Sequence, residues 1–358
     1  MDRAQRIAAD SRTDAVIIYN GGIPFLDPVF WYVTEQRSGT FEGSFAVIFR
    51  DGTLDVITGL LEETTAKKGK GNVHIFEKRK ERNAILTELL KGCKRIGISG
   101  SSISYNASEY IKKITNAKLV DVSKKIADVV AIKDDSEISE IRKACEISSK
   151  AARKIDEFLY EGITEKEAAR LIDEHMKNDG GDGNAFETIA AFGPHSAEPH
   201  HSPSEYKLKK GDTALFDFGS KYGMYCSDLT RTVFFGEPEG VLRRAYDIVL
   251  KAQEAGIERM IDDVPAKEAH RVAETIINGT EFKKRFIHSF GHGVGMNAHE
   301  SPSVSRLSKD VLKENMVATA EPGVYLPGIG GIRIEDTILI TKNGADILTN
   351  FDKRSTVI

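Results

Sequence analysis

From residue 1 to about 128, short apolar runs alternate with stretches in which apolar side chains recur every three to four positions. Ala15 to Tyr19, Phe45 to Phe49, Leu54 to Thr58, Val73 to Phe76 and Arg95 to Ile98 predict strands interleaved with helices, an α/β pattern. At Lys133-Asp134-Asp135-Ser136 the chain turns charged and polar. Beyond it, apolar residues at 138, 141, 145, 152, 155 and 159 share one face of a long helix that is expected to stop near Gly162. Thr164 with Glu167 then offers a capping box for a second helix ending at Gly180-Gly181. Helices at about 240 to 261 and 266 to 277 follow, with strand-like runs at 185 to 191, 213 to 218, 224 to 235, 286 to 290, 316 to 321 and 331 to 341. The pattern predicts an α/β domain over 1–130 and an α+β domain with hairpins over 131–358.

Length agrees with two domains, because 358 residues exceed one ordinary core. The 50 Lys plus Arg against 54 Asp plus Glu give no basic excess, so nucleic acid is not an expected partner. No apolar run reaches the ~20 residues that span a bilayer, and the opening Met1 to Asp14 lacks the apolar core of a secretory signal. The expected setting is the cytoplasm, away from membranes. Cys93, Cys145 and Cys226 are far apart and form no CxxC pair, which argues against both a disulfide framework and a thiolate zinc site. Seven of the nine histidines (His195, His200, His201, His270, His288, His292 and His299) fall between 195 and 299, which directs attention to the second domain.

Three segments there carry candidate chemistry. In Thr213 to Phe218 followed by Cys226 to Val233, a two-residue turn at Tyr222-Gly223 would set Asp217 directly opposite Asp228. Like charges opposed on a sheet among Leu215, Phe216 and Phe218 call for a cation. A metal ion supplies one; solvation, or pairing with Arg231, is the other reading that this hairpin alone leaves open. In the second segment, Ala320-Glu321-Pro322-Gly323 leads to Ile332-Arg333-Ile334-Glu335-Asp336-Thr337, where alternation puts Arg333, Glu335 and Thr337 on one face. Taken singly, that face could be a wet Arg333–Glu335 pair. In the third, glycines flank His292 in Gly291-His292-Gly293, leaving room for a close approach, and His299-Glu300 follows. A phosphate-binding glycine loop does not match this spacing. Four carboxylates and one imidazole form a hard, oxygen-rich set that suits Mn, Co, Fe or Zn pairs, which activate water for hydrolysis.

Together these motifs resemble the pita-bread metallopeptidases, the family of methionine aminopeptidase, aminopeptidase P and prolidase, which also includes the metal-free creatinases. The resemblance spans essentially the whole chain. It implies a creatinase-like N-terminal domain over 1–130 and a methionine aminopeptidase-like, pita-bread catalytic domain over 131–358. It implies two divalent ions (Mn, Co, Zn or Fe) held by Asp217, Asp228, His292, Glu321 and Glu335, with Glu321 also shuttling a proton. His200, which by itself reads as a surface histidine of a polar loop, matches a residue that stabilises the tetrahedral intermediate. His299 matches a substrate-contacting histidine with a catalytic part, and Arg333 and Tyr325 match residues lining the same cleft. An N-terminal domain of this size favours prolidase and aminopeptidase P, and so a proline-containing di- or oligopeptide substrate and a homodimer. The Xaa-Pro bond has no amide hydrogen, which takes a donor away from general peptidases. A dipeptidase is the preferred expectation, with an Xaa-Pro aminopeptidase as the alternative. A non-catalytic relative or a creatinase-like hydrolase fits less well, because all five ligand positions are filled. The sequence departs from the pattern at Phe192-Gly193, where Ser-Gly is common, at His201, where relatives often carry a small residue or tyrosine, and at Ala131, a frequent arginine. Trp31 in Phe30-Trp31-Tyr32 is read as core packing rather than a lid contact.

Overall fold

The computed structural model describes residues 2–353 and 357–358, and the chain divides into two compact units, one ending at Val130 and one over Ala131–Ile358. The first contains β1 (Ala15–Asn20), β2 (Ser44–Phe49), β3 (Leu54–Gly59), β4 (Asn72–Phe76), β5 (Arg95–Ile98) and β6 (Lys118–Asp121) in one sheet of order β4-β3-β2-β1-β5-β6. Its helices are α1 (Arg3–Ser11), α2 (Pro28–Thr34), α3 (Glu63–Ala66), α4 (Arg79–Leu89), α5 (Tyr105–Ile114) and α6 (Ser123–Ala131). Strand β1 is buried along its length because Val16, Ile17 and Ile18 fill both faces of a central strand, giving the continuous apolar run seen in the sequence. Strand β6 has only two apolar residues, Leu119 and Val120, and no such run announces it. Trp31 is 8% exposed and packs edge-on against Phe30 at 5.7 Å, as core.

The second unit has α7 (Asp135–Ala152), α8 (Ile155–Phe158), α9 (Glu165–Asn178), β7 (Gly183–Asn184), β8 (Ile189–Phe192), β9 (Thr213–Phe218), β10 (Ser220–Tyr222), β11 (Tyr225–Cys226) and β12 (Leu229–Phe234). There follow α10 (Gly240–Ile257), α11 (Lys267–Asn278), β13 (Gly291–Gly293), β14 (Glu300–Val304), β15 (Val317–Ala320), β16 (Gly323–Leu326), β17 (Gly330–Arg333), β18 (Asp336–Thr341) and β19 (Gly344–Ile347). Two sheets matter for the site: β12-β9-β8, and β14-β13-β15-β18-β19. One apolar cluster joins α7 and α9 to the first sheet through Ile147, Ile172, Phe192 and Phe216; another joins α10 and α11 to the second through Val249, Ala273, Ala318 and Ile338. Mixed helices and sheets are thus the fold class, as expected. Among the described residues no helix is long and apolar enough to cross a membrane.

Several local expectations are corrected. The long helix breaks after Ala152, where the backbone tightens to an i→i−3 bond from Lys154 to Ala151, yet Ile155 and Leu159 still reach the core. Thr164 caps α9 by accepting from the Glu167 amide, but the Glu167 side chain takes the Tyr160 hydroxyl instead of closing the box. The strand predicted at 286 to 290 begins only at Gly291, and 331 to 341 is interrupted at Ile334-Glu335. The hairpin register also moves. Tyr222 pairs with Tyr225, so the turn is Gly223-Met224, with Gly223 at φ 63°, the conformation a type II′ turn asks of its first central residue. Asp217 therefore faces Thr230, and Asp228 lies two positions away rather than directly opposite.

Candidate metal centre

The five predicted ligands come from strand ends of the two sheets, and backbone bonds lock each end to its neighbour. Asp217 lies in β9, and Asp228 just before β12, where its amide donates to Thr337 Oγ1 (3.2 Å) and its carbonyl accepts from the same hydroxyl (2.7 Å). The Glu335 amide donates to the Thr230 carbonyl at 3.1 Å, and the Glu321 amide to the Phe290 carbonyl at 2.7 Å. Glycine is required beside His292. A Cβ on Gly291 would lie 2.0 Å from the Thr319 carbonyl oxygen, and one on Gly293 2.0 Å from that of Ser301, so β13 can enter between its neighbours only without side chains there.

These ends bring the side chains together. Asp228, His292 and Glu335 offer ligand atoms within 4.8 Å of one another, and His292 Nε2 is 3.7 Å from Asp228 Oδ2 and 3.1 Å from Glu321 Oε1. His292 Nδ1 lies 3.2 Å from the Gly293 carbonyl, a contact that turns Nε2 toward the carboxylates and leaves it free to bind a metal. Thr230 Oγ1 donates to Glu335 Oε2 at 2.6 Å and Thr319 Oγ1 to Glu321 Oε1 at 3.2 Å, fixing both carboxylates. Arg333, 2% exposed, donates to Asp217 Oδ2 (2.5 Å), the Tyr325 hydroxyl (2.9 Å) and Thr230 Oγ1 (3.1 Å).

The readings that the sequence left open are decided here. Arg231 does not neutralise the aspartates: it is 1% exposed and pairs with Asp336 at 2.7 Å. Arg333 does not sit with Glu335 on a wet face but is buried on Asp217. The charge balance of the cluster is unfavourable as it stands. Burial and the neighbouring carboxylates Glu335, Asp217 and Glu321 push Asp228 well above the ordinary aspartate value. Burial and the charges of Glu321 and Asp217 do the same to Glu335, and burial raises Asp217 despite Arg333. Glu321 lies below its ordinary value: burial pushes it up, but the His292 hydrogen bond and the charges of His292, His288 and Arg333 outweigh that. Asp217 Oδ1 is buried with no hydrogen-bond partner. An orphaned carboxylate oxygen beside an electron-rich cluster is what a divalent cation would satisfy, so the residues fit a metal.

The cluster lines a cavity of about 350 Å³ together with His200, His299, Phe186 and Ile189. His299 stacks on His292 at 3.7 Å. Arg333 reaches the cavity, whereas Tyr325 is 2% exposed and stands behind it, its hydroxyl bridging Arg333 to His288 Nε2 at 2.8 Å. His288 also lines the cavity, a place the sequence reading did not give it, and because it lies before β13 strand alternation offers no signal for it.

Buried carboxylates crowded round an imidazole and opening on a cleft define a metal-dependent hydrolase. Comparison with known proteins agrees and is more specific. The profile of metallopeptidase family M24 matches residues 139–342, and that of the creatinase/prolidase N-terminal domain matches residues 1–130. The chain belongs to metallopeptidase family M24, and its pita-bread fold and metal-dependent peptidase class follow from that membership. It is 40% identical over 315 residues to an Xaa-Pro dipeptidase of Pyrococcus furiosus, covering 87% of this chain and 88% of that one. Its fold is similar to that of the prolidase from Pyrococcus horikoshii OT3 (TM-score 0.89, 36% identity, 98% and 99% of the chains). It is likewise similar to that of an X-Pro aminopeptidase from Thermotoga maritima MSB8 (TM-score 0.91, 31% identity, 100% of both).

Proposed function

We propose that the protein is an Xaa-Pro dipeptidase working with two divalent ions of the Mn, Co, Zn or Fe class. The observation that carries the metal reading is that Asp217, Asp228, His292, Glu321 and Glu335 line one cavity, with the ligand atoms of Asp228, His292 and Glu335 clustered and Asp217 Oδ1 buried without a hydrogen-bond partner. The 40% identity to a named Xaa-Pro dipeptidase supports the proline preference. When bound, the ions would lower the pKa of the attacking water and polarise the scissile carbonyl. Glu321, on the cavity wall, takes the proton released as the water oxygen adds to the carbonyl carbon and returns it to the proline nitrogen as the C–N bond breaks. His200, which also lines the cavity, donates toward the developing oxyanion. His299 contacts the substrate, Arg333 holds the Asp217 side of the site, and Tyr325 braces Arg333 from behind. We assign the protein to the cytoplasm as a homodimer; exposed Ile23, Phe25 and Leu26 in one loop supply apolar surface for self-association.

The Thermotoga neighbour supports a second reading, an aminopeptidase acting on longer peptides. Metal-loaded protein offered Ala-Pro, Met-Pro and Arg-Pro-Pro separates them. Turnover of the dipeptides is expected; cleavage of the tripeptide with neither dipeptide hydrolysed would reverse the preference. The same assay after reconstitution with Mn, Co, Zn or Fe, together with metal analysis, checks that two equivalents are bound and identifies the most active ion.

A further inference from the structure

Glu165 opens α9 with no solvent exposure and ties a knot of hydrogen bonds outside the metal centre. Its Oε1 accepts from the Phe192 amide at 2.8 Å and faces His195 Nδ1 at 2.9 Å. Its Oε2 accepts from the Ser204 amide (2.9 Å) and hydroxyl (2.5 Å) and faces His201 Nε2 at 2.9 Å. His201 Nδ1 in turn lies 2.8 Å from Glu198 Oε2. These partners begin and end the segment 192–204, whose middle, Pro199-His200, lines the catalytic cavity. Ser196 anchors the early half through Thr213 Oγ1 and the Gly331 amide. The half that carries His200 is held by His201 and Ser204 on Glu165, with the Lys166 amide on the Ser204 carbonyl.

We propose that Glu165 is a positioning residue for His200, its carboxylate collecting the ends of the loop so that the imidazole is presented to the cavity at a fixed place. The proposal rests on the part assigned to His200 above. A carboxylate is required rather than an amide, because all five contacts bring donors to two oxygens. A glutamine at this position has one acceptor oxygen and would turn an N–H toward either the Phe192 or the Ser204 amide. His201 and His195 act here as donors and not as metal ligands. Their nitrogens sit at direct hydrogen-bond distance from Glu165, whose two oxygens already accept the Phe192 and Ser204 backbone amides. The presence of His201, where relatives often carry a small residue or tyrosine, thus has a use: it ties the residue next to His200 to the buried acid.

A double-mutant cycle tests this. Glu165→Gln is expected to lower kcat on Ala-Pro about tenfold, leaving KM and the metal content unchanged. In a His200→Ala background the same change should lower kcat less than about twofold, since the group it positions is gone. His201→Ala, which removes one of the five contacts, should give a smaller loss with the same dependence on His200 and serves if Glu165→Gln does not fold. Equal fold losses in both backgrounds would overturn the proposal and leave Glu165 a structural residue. So would the loss of a third metal equivalent in either variant, because the imidazoles would then be ligands. Full activity of His200→Ala by itself would overturn the assignment of His200, and the positioning role with it, which distinguishes that failure from additivity.

Discussion

Arg333→Met removes the buried cation of the site and leaves Asp217 facing an apolar side chain. In the wild type the guanidinium makes charge-assisted bonds to Asp217 Oδ2 at 2.5 Å and bonds to Tyr325 and Thr230, all at 2% exposure. Breaking a buried pair by deleting one partner costs about 3–5 kcal/mol, chiefly because the other charge is left uncompensated. For a unit of this size that corresponds to a fall of roughly 6–20 °C in Tm. The loss should be largest in chelator, where Asp217 has nothing else to pair with. Saturating Mn should restore part of it, since cations would then compensate both oxygens of Asp217 and bind without repulsion from the guanidinium. The assay is a pair of melting curves, with chelator and with Mn, for wild type and variant. Arg333→Lys serves as a control that keeps the charge but not the fork and should fall between them. An unchanged Tm in chelator would refute the claim that Arg333 compensates a buried Asp217. Equal losses with and without Mn would refute the claim that metal and guanidinium share that carboxylate.

Asp228→Ala should abolish activity together with metal retention, read by metal analysis of the purified protein, whereas His200→Ala should lower kcat about 10²- to 10³-fold with both ions in place. Thr230→Val deletes the hydroxyl between Glu335 and Arg333 and should weaken metal affinity about 10- to 100-fold, measured by competition with a chelator; an unaltered affinity would mean that Glu335 needs no such support. The Glu165–His201 contact predicts a pH dependence. Burial acts against both charges, but hydrogen bonds outweigh it: those from Ser204, Phe192 and His201 hold Glu165 below its ordinary 4.5, and those to Glu165 and Glu198 hold His201 above 6.5, with His195 the other titratable group beside it. Glu165 therefore contributes stability above pH 4.5 that is lost as pH falls through its lowered value. His201 contributes stability fully present below pH 6.5 and lost as pH rises through its raised value. The difference in Tm between wild type and His201→Ala should be greatest between these limits and shrink at alkaline pH; a difference constant from pH 5 to 9 would count against the pairing.

The sequence by itself was enough for much of this protein. Continuous runs such as Val16-Ile17-Ile18 marked central strands because residues buried on both faces must all be apolar. The five candidate ligands came together only through the resemblance of their motifs to a known family, since taken singly the hairpin allowed solvation or Arg231 and the 332–337 face a wet Arg333–Glu335 pair. What it could not supply were facts that depend on distant segments meeting. The turn at Gly223-Met224 moved Asp228 off Asp217 by two positions, because a local glycine conformation sets the register of the whole hairpin. Arg231 lies three residues from Asp228 and Arg333 two from Glu335, which made those acids the expected partners; only packing sent one to Asp336 and the other to Asp217. Glu165 carried no signal at all, since a glutamate in the first turn of a helix is commonplace. Its burial under His195, His201 and Ser204 arises only when residues some 30 to 39 positions away fold back on it. Composition and periodicity determine which side chains must leave water; which partner each finds there is decided by the strands and loops that close around it.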